Sequence, residues 1–159
     1  TDLDDLITFD FTSFPGTVIN VQKARTRGVE FAAKVSVAGL LEARLAYTYL
    51  DADNLTQGTR LVRRPRHSGA LDLWRDFGHG FSAGTGVSVV ADREDIDAAT
   101  FMQIDAEDYT VVRLYAAYQA TPRLAVKARF ENLLNEKYEE VNGYPATGFG
   151  AYGSVEWKF

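Results

Sequence analysis

The chain has 159 residues, 46% of them hydrophobic, a formal net charge of −5 and no cysteine. The acidic balance argues against a nucleic-acid partner. No window approaches 18 consecutive apolar residues, which excludes a transmembrane helix. A membrane barrel is not excluded. Its strands need only about 9–11 residues, and every second one faces the lumen and can be polar, so a mean hydropathy of −0.19 is compatible with one. The cysteine count fits an oxidising compartment and the cytosol alike. Thr1-Asp2-Leu3-Asp4-Asp5 has neither the basic nor the apolar region of a signal peptide, and no Met starts the chain. A processed start or a piece of something longer is expected.

Period-2 alternation dominates and helical periodicity is scarce, so eight strands are expected. The first covers 4–11, with Ile7, Phe9 and Phe11 on one face. The second covers 18–38, where Phe31, Ala33, Val35 and Val37 alternate with Glu30, Ala32, Lys34 and Ser36. Gly39-Leu40 turns the chain into the third, 41–53, with Ala43, Leu45, Tyr47 and Tyr49 on one face and Glu42, Arg44, Ala46 and Thr48 on the other. The fourth covers 59–76 and ends at Gly78-His79-Gly80. The fifth, 81–93, sets Ala83, Thr85, Val87 and Val89 against Ser82, Gly84, Gly86 and Ser88. The sixth, 107–120, sets Val112, Leu114, Ala116 and Tyr118 against Val111, Arg113 and Tyr115, and turns at Thr121-Pro122-Arg123. The seventh covers 124–132. The eighth, 150–159, sets Val155, Trp157 and Phe159 against Ser154, Glu156 and Lys158.

Two kinds of connection alternate. Those near 39, 78 and 122 are short, whereas those at 12–17, 54–58, 94–106 and 132–149 are mostly longer and polar. Outer-membrane barrels show this asymmetry, with short periplasmic turns and long external loops. It places both chain ends on the periplasmic side. The apolar sets are nearly free of charge. Alternation alone leaves two readings open: a soluble sandwich, whose apolar face meets a second sheet, and a barrel, whose apolar face meets lipid. Loop asymmetry, the aromatics near strand ends (Tyr47, Tyr49, Trp74, Tyr118, Trp157) and the final Phe159 favour the barrel.

Three segments carry a family resemblance. In the tail, Asn132-Leu133-Leu134-Asn135-Glu136-Lys137-Tyr138 is followed by Gly143-Tyr144-Pro145 and a last strand ending in Phe159. Upstream lie the stretches NVQKARTRGVEFAAKV (20–35) and LVRRPRHSGALDL (61–73). In this order they resemble the barrel of TonB-dependent outer-membrane receptors, and the tail resembles the cobalamin receptor branch in particular. Many relatives carry Gly-Arg before the last strand, where this chain has Gly148-Phe149-Gly150; siderophore receptors share the ending. The resemblance implies a 22-stranded barrel plugged by an N-terminal domain. Residues 1–159 would then form its last eight strands, without the plug. It also implies an outer-membrane location and transport of a scarce nutrient, cobalamin or a ferric siderophore. The implied partners are outer-membrane lipid and lipopolysaccharide, the barrel-assembly machinery, and the rest of the receptor with its plug, through which TonB acts. The alternative is a self-contained eight-stranded barrel with a structural or adhesive role, since eight strands suffice for closure.

Candidate site residues follow. Val155, Trp157 and Phe159 form an expected assembly signal, because an edge strand ending the chain is a handle for β-augmentation. Asn54, Gln57 and Tyr144 are candidate ligand contacts in the long loops, an exposed aromatic being suited to stacking. Asp51, Asp53 and Asn54, and Asp92, Glu94, Asp95 and Asp97, form acidic loop segments; they read as solvated loops, with calcium as the sharper alternative. Arg63, Arg64 and Arg66, followed by His67, read as a lumen charge ladder paired with acids on neighbouring strands, with contact to an anionic ligand or a lipid phosphate as the alternative. No nucleophile–base pair, phosphate loop or zinc spacing is present, so neither an enzyme nor a cofactor is expected.

Overall fold

The computed structural model describes residues 1–10, 14–38 and 40–159, with backbone only at 3–6, 8–10 and 19–22. Phe11, Gly39 and the Phe9 side chain lie outside the described residues. The eight expected strands are present as one antiparallel meander. They are β1 (Asp2–Asp10), β2 (Thr17–Val37), β3 (Leu41–Asn54), β5 (His67–Gly78), β6 (Phe81–Ala91), β9 (Tyr109–Thr121), β10 (Leu124–Glu131) and β13 (Gly150–Trp157). Each pairs with the next, in the order β1-β2-β3-β5-β6-β9-β10-β13. Five short strands decorate one end: β4 (Thr59–Arg60), which pairs with β3, the hairpin β7 (Arg93–Ile96) with β8 (Gln103–Ala106), and the hairpin β11 (Glu139–Val141) with β12 (Tyr144–Pro145). Among the described residues no ladder joins β1 to β13. The sheet is open, and closure of these eight strands on themselves is not what forms.

The register explains the two faces, because residues paired across antiparallel strands share a face. One row runs Val35–Ala43–Leu73–Thr85–Leu114–Phe130–Ala151, and the next runs Ala33–Leu45–Leu71–Val87–Val112. The opposite face carries Lys34–Arg44–Asp72–Gly86–Arg113 at the intervening level. Among the described residues no second layer covers the apolar face. Val29, Phe31, Val35, Leu45, Val126 and Val155 are all exposed, and the only buried hydrophobic residues described are Ala24, Ala52 and Ala125. A water-soluble domain buries most of its large aliphatic side chains. A soluble sandwich would hide the very row that here stands bare.

Its height fits a bilayer. On β3 the apolar positions run from Leu41 to Tyr49, eight steps of about 3.4 Å, or roughly 20 Å of height at the tilt usual for barrel strands, close to the ~25 Å apolar band of outer-membrane barrels. Aromatics bound it. At one rim Tyr47 Oη bonds His67 Nδ1 at 2.7 Å and Tyr49 packs against the same ring, 5.4 Å between centroids. At the other, the tilted rings of Phe77 and Phe81 pack at 5.5 Å between centroids, and the Arg75 guanidinium lies 5.1 Å from the Phe77 ring. Arg75 shares the apolar face but sits at its edge, where a long cation can reach polar surroundings.

The polar face is built differently. Gly84 and Gly86 on β6 leave room for Tyr115 and Arg113 on β9 to cross the strand, and a Cβ at either glycine would come 2.4 Å from those side chains. They converge on Asp72 of β5, with Arg113 Nη2 at 2.7 Å and Tyr115 Oη at 2.9 Å. Lys34 and Arg44 pair with Glu42, Arg129 with Glu131 and Lys127 with Glu156. The expected charged face is therefore a set of ion pairs, across strands at Lys34–Glu42 and Lys127–Glu156 and along one strand at Arg44–Glu42 and Arg129–Glu131.

Candidate functional site

Short turns close one end of the sheet, near Ala38, His79 and Pro122. The other end carries the long connections, and the segments 60–66, 92–106 and 132–149 are packed together there rather than splayed. The fourth expected strand, 59–76, is where the sequence reading departs most from the structure. Its ladder with β3 breaks after β4. Leu61 N donates to Ala52 O and Leu50 N to Arg66 O, so the residues between them bulge out of the sheet. Arg63 sits there at φ 58. The bulge turns toward β7, where Arg63 N donates to Glu94 O at 2.7 Å. The fifth expected strand, 81–93, also stops short: Asp92 at φ 54 ends β6, and the chain restarts as β7.

This folding gathers the basic run and the acidic loop into one network. Arg60 pairs with Asp92 at 2.6 Å, and Arg66 pairs with Asp92 at 2.8 Å and with Asp51 at 3.4 Å. Arg63 Nε donates to Asp95 Oδ1 at 2.7 Å. The expected pairing of Arg63 and Arg66 with neighbouring acids is present. Among the described residues Arg64 bonds the carbonyl of Arg63 and no acid, and His67 faces the two tyrosines instead. The acidic residues 92–97 are not a solvated loop. Asp95 is fully buried, at 0% exposure, and also accepts from Ile96 N at 2.8 Å and from Asn142 N at 2.7 Å. Burial works to raise its carboxyl, but the Asn142 amide, the Arg63 guanidinium and the Ile96 amide together hold it below the usual carboxylate range. Asp92 is held low first by its hydrogen bond from Arg60 and then by the charge of Arg66 as well.

The segment 132–149 folds back over the ends of β9 and β10. Its two motif asparagines build it. Asn132 and Asn135 take left-handed conformations, φ 48 and 51. Asn132 is buried; its carbonyl accepts from Glu136 N and its amide donates to the carbonyls of Glu136 and Thr147. Asn135 Oδ1 accepts from Phe149 N at 3.0 Å. Tyr138 stacks on Tyr109 at 4.1 Å. Arg93, buried, spends its guanidinium on the carbonyls of Glu139, at 2.6 Å, and Glu140. Between this segment and the β7–β8 hairpin lies a cleft of ≈760 Å³, lined among others by Ile104, Glu107, Lys137, Tyr138, Glu139 and Asn142.

The candidate ligand residues fall in different settings. Tyr144 is 73% exposed on β12, with Glu140, Val141 and Ala146 around a shallow second hollow. Asn54 is buried in the turn between β3 and β4. Its Oδ1 accepts from the amides of Thr56 and Gln57, and its Nδ2 donates to Gln57 Oε1 at 2.9 Å. Both side chains thus bond one another in building the turn, away from Tyr144. Sequence reasoning missed Asp95 and Arg93 as organising residues. The alternation Arg93-Glu94-Asp95 was a usable signal, since it sends residues 93 and 95 to one side of a strand.

Val155 and Trp157 stand on the apolar face of β13, opposite Val126 and Leu124. The ladder continues past them, Lys158 N donating to Arg123 O. Phe159 is fully exposed. The outer edge of β13 is unpaired among the described residues.

A single antiparallel layer, bare and apolar on one face, charged on the other, with turns at one end and packed loops at the other, is a segment of an outer-membrane β-barrel wall. The family model for TonB-dependent receptor-like β-barrels matches residues 1–133, and the chain belongs to that family. Its place is the bacterial outer membrane. The match stops before most of the tail motif. Among curated proteins, the vitamin B12 transporter BtuB of Vibrio cholerae is 29% identical over 141 residues, covering 87% of this chain and 23% of that protein. Among solved structures, the ferripyoverdine-binding FpvA of Pseudomonas aeruginosa aligns with a TM-score of 0.81 at 18% identity, over 99% of this chain and 24% of its own. The copper transporter OprC aligns at 0.79 with 22% identity, over 99% and 27%. These structural likenesses carry the fold. The chain spans about a quarter of the length of the relatives it matches.

Proposed function

We propose that the chain is one wall of an energised receptor that captures a scarce nutrient outside the cell, cobalamin or a ferric siderophore. On this reading 1–159 is a single barrel segment, and the plug, the remaining strands and coupling to TonB belong to the rest of the receptor. The observation that carries it is the packed loop end. A barrel serving only as an anchor has no use for a buried ion network that fixes a ≈760 Å³ cleft beside an exposed tyrosine. The apparatus suits binding, with aromatic and polar groups held in a set geometry. The vitamin B12 transporters among its relatives favour cobalamin; siderophore and copper receptors share the fold.

The long-loop end faces outward, as in other outer-membrane barrels, where it meets lipopolysaccharide, while the short turns face the periplasm. Tyr144 is the proposed stacking contact, with Asn54 and Gln57 contributing by shaping the β3–β4 turn at the same end of the sheet. The edge of β13, with Val155, Trp157 and Phe159 at alternate positions, is the proposed handle for the assembly machinery. Neither the site nor the family points to catalysis.

The test uses the full receptor in detergent, titrated with cyanocobalamin and, separately, with ferric siderophores. Saturable binding of one of them, weakened about tenfold or more in Tyr144→Ala, supports the reading. A correctly folded receptor that binds none of them overturns it.

A further inference from the structure

Residues 93 and 95 share the inner side of β7, and each reaches across to the β11–β12 hairpin. Arg93 takes the carbonyls of Glu139 and Glu140. Asp95 takes the amide of Asn142 on Oδ2, and on Oδ1 both Arg63 of the bulge and its own neighbour Ile96. Asn142 answers by accepting from Ala98 N at 2.9 Å. The contact is close: a Cβ at Gly143 would stand 3.2 Å from Ala98 Cβ. Three loops from separate parts of the sequence thus meet at one carboxylate with no exposed surface.

We propose that Asp95 is a positioning residue that welds the 61–66 bulge, the β7–β8 hairpin and the β11–β12 hairpin into one preformed wall of the cleft, so that Tyr144 is presented on a rigid body rather than on an independent loop. The inference rests on the reading of this end as the nutrient-binding end. The chemistry asks for a carboxylate. All three groups facing Asp95 are N–H donors, and only an ionised carboxylate accepts from all of them with both oxygens. An asparagine of the same shape turns one acceptor into a donor, aimed at a donor that is then stranded in a buried site. Asp97, two residues on, serves as the internal contrast. Its carboxylate accepts from Ala99 and Thr100, and so caps the tip of its own hairpin.

The test is amide hydrogen exchange on the whole receptor in detergent, run beside nutrient titration. In Asp95→Asn, amides of 139–145 and 61–66 should exchange at least about tenfold faster, while those of β5, β6 and β9 stay as protected as before. Asp97→Ala should change only 98–101. Arg63→Gln removes one donor at a half-exposed position and should loosen 61–66 more than 139–145; it serves where Asp95→Asn fails to assemble. Unchanged protection of 139–145 in Asp95→Asn, or of 61–66 in Arg63→Gln, overturns the weld. The exchange readout needs no ligand. Faster exchange with nutrient affinity unchanged therefore supports the weld and counts against the binding role of this end; faster exchange with weakened affinity supports both.

Discussion

At the scale of single residues, buried charge marks the organised end of this protein. Asp95 is enclosed yet ionised, because three donors compensate what burial costs. Its folded carboxyl lies below the ordinary range, and Asp92 shares the direction. A depressed folded value means that the ionised form stabilises the loops above the unfolded carboxylate range, and that this contribution is lost only as pH falls through the folded values. Loop protection at 139–145 should therefore hold from neutral pH down to about pH 5 and give way only below the ordinary aspartate range near 3.9. Exchange measured at several pH values checks this, and loosening already at pH 6 would contradict it. Little of this was legible in the sequence. Asp92, Glu94, Asp95 and Asp97 read as one polar loop, because their spacing says nothing of which one is enclosed. The positive φ of Arg63 and Asp92 has no glycine to announce it. Asn54, by contrast, stands where a turn-forming residue is expected, and its bonds show why: its side chain replaces the backbone partners that the turn lacks.

At the scale of elements, alternation located the eight long strands and assigned the faces of β2, β3, β6, β9, β10 and β13, since a single open layer lets period 2 run unbroken. It failed where the ladder is interrupted. The 59–76 strand is two strands and a bulge, and four strands of the β7–β8 and β11–β12 hairpins went unseen. Those hairpins are two to four residues per strand, too short for a periodic signal. The glycines of β6 have a role that only the structure shows. They read as the small half of an alternating strand; in the fold they are the gap through which Arg113 and Tyr115 reach Asp72. Gly86→Val fills that gap. It should displace Arg113, break its pair with Asp72 and destabilise the sheet by about 1–3 kcal/mol, seen as a lower unfolding midpoint of the detergent-solubilised receptor. Ser88→Val, on the same face beyond the crossing, should have a smaller effect. Equal effects would mean that the crossing contributes nothing.

At the scale of the whole molecule, the described sheet has almost no apolar interior. Its large hydrophobic residues lie on one side, exposed, between two aromatic rims. That arrangement is unstable in water and stable in a bilayer, where lipid covers the face and the backbone groups are satisfied within the ladder. Among the described residues β1 and β13 are the outermost strands, and their open edges fit a segment whose neighbours come from elsewhere in a larger barrel. The family, reached first from three motifs, is supported over residues 1–133 by its barrel model; most of the tail motif lies beyond that match, and its asparagines prove to be loop architecture. The most direct test of a lipid-facing wall is spin labelling along β3. Single cysteines at positions 42 to 49 of the full receptor, reconstituted in phospholipid vesicles, are each measured for collision with oxygen, which dissolves in hydrocarbon, and with a water-soluble nickel complex. The expected result is a two-residue alternation. Oxygen accessibility should be high at Ala43, Leu45 and Tyr47 and low at Glu42, Arg44 and Ala46. Low oxygen accessibility at all six positions, or the same value on both faces, would contradict it.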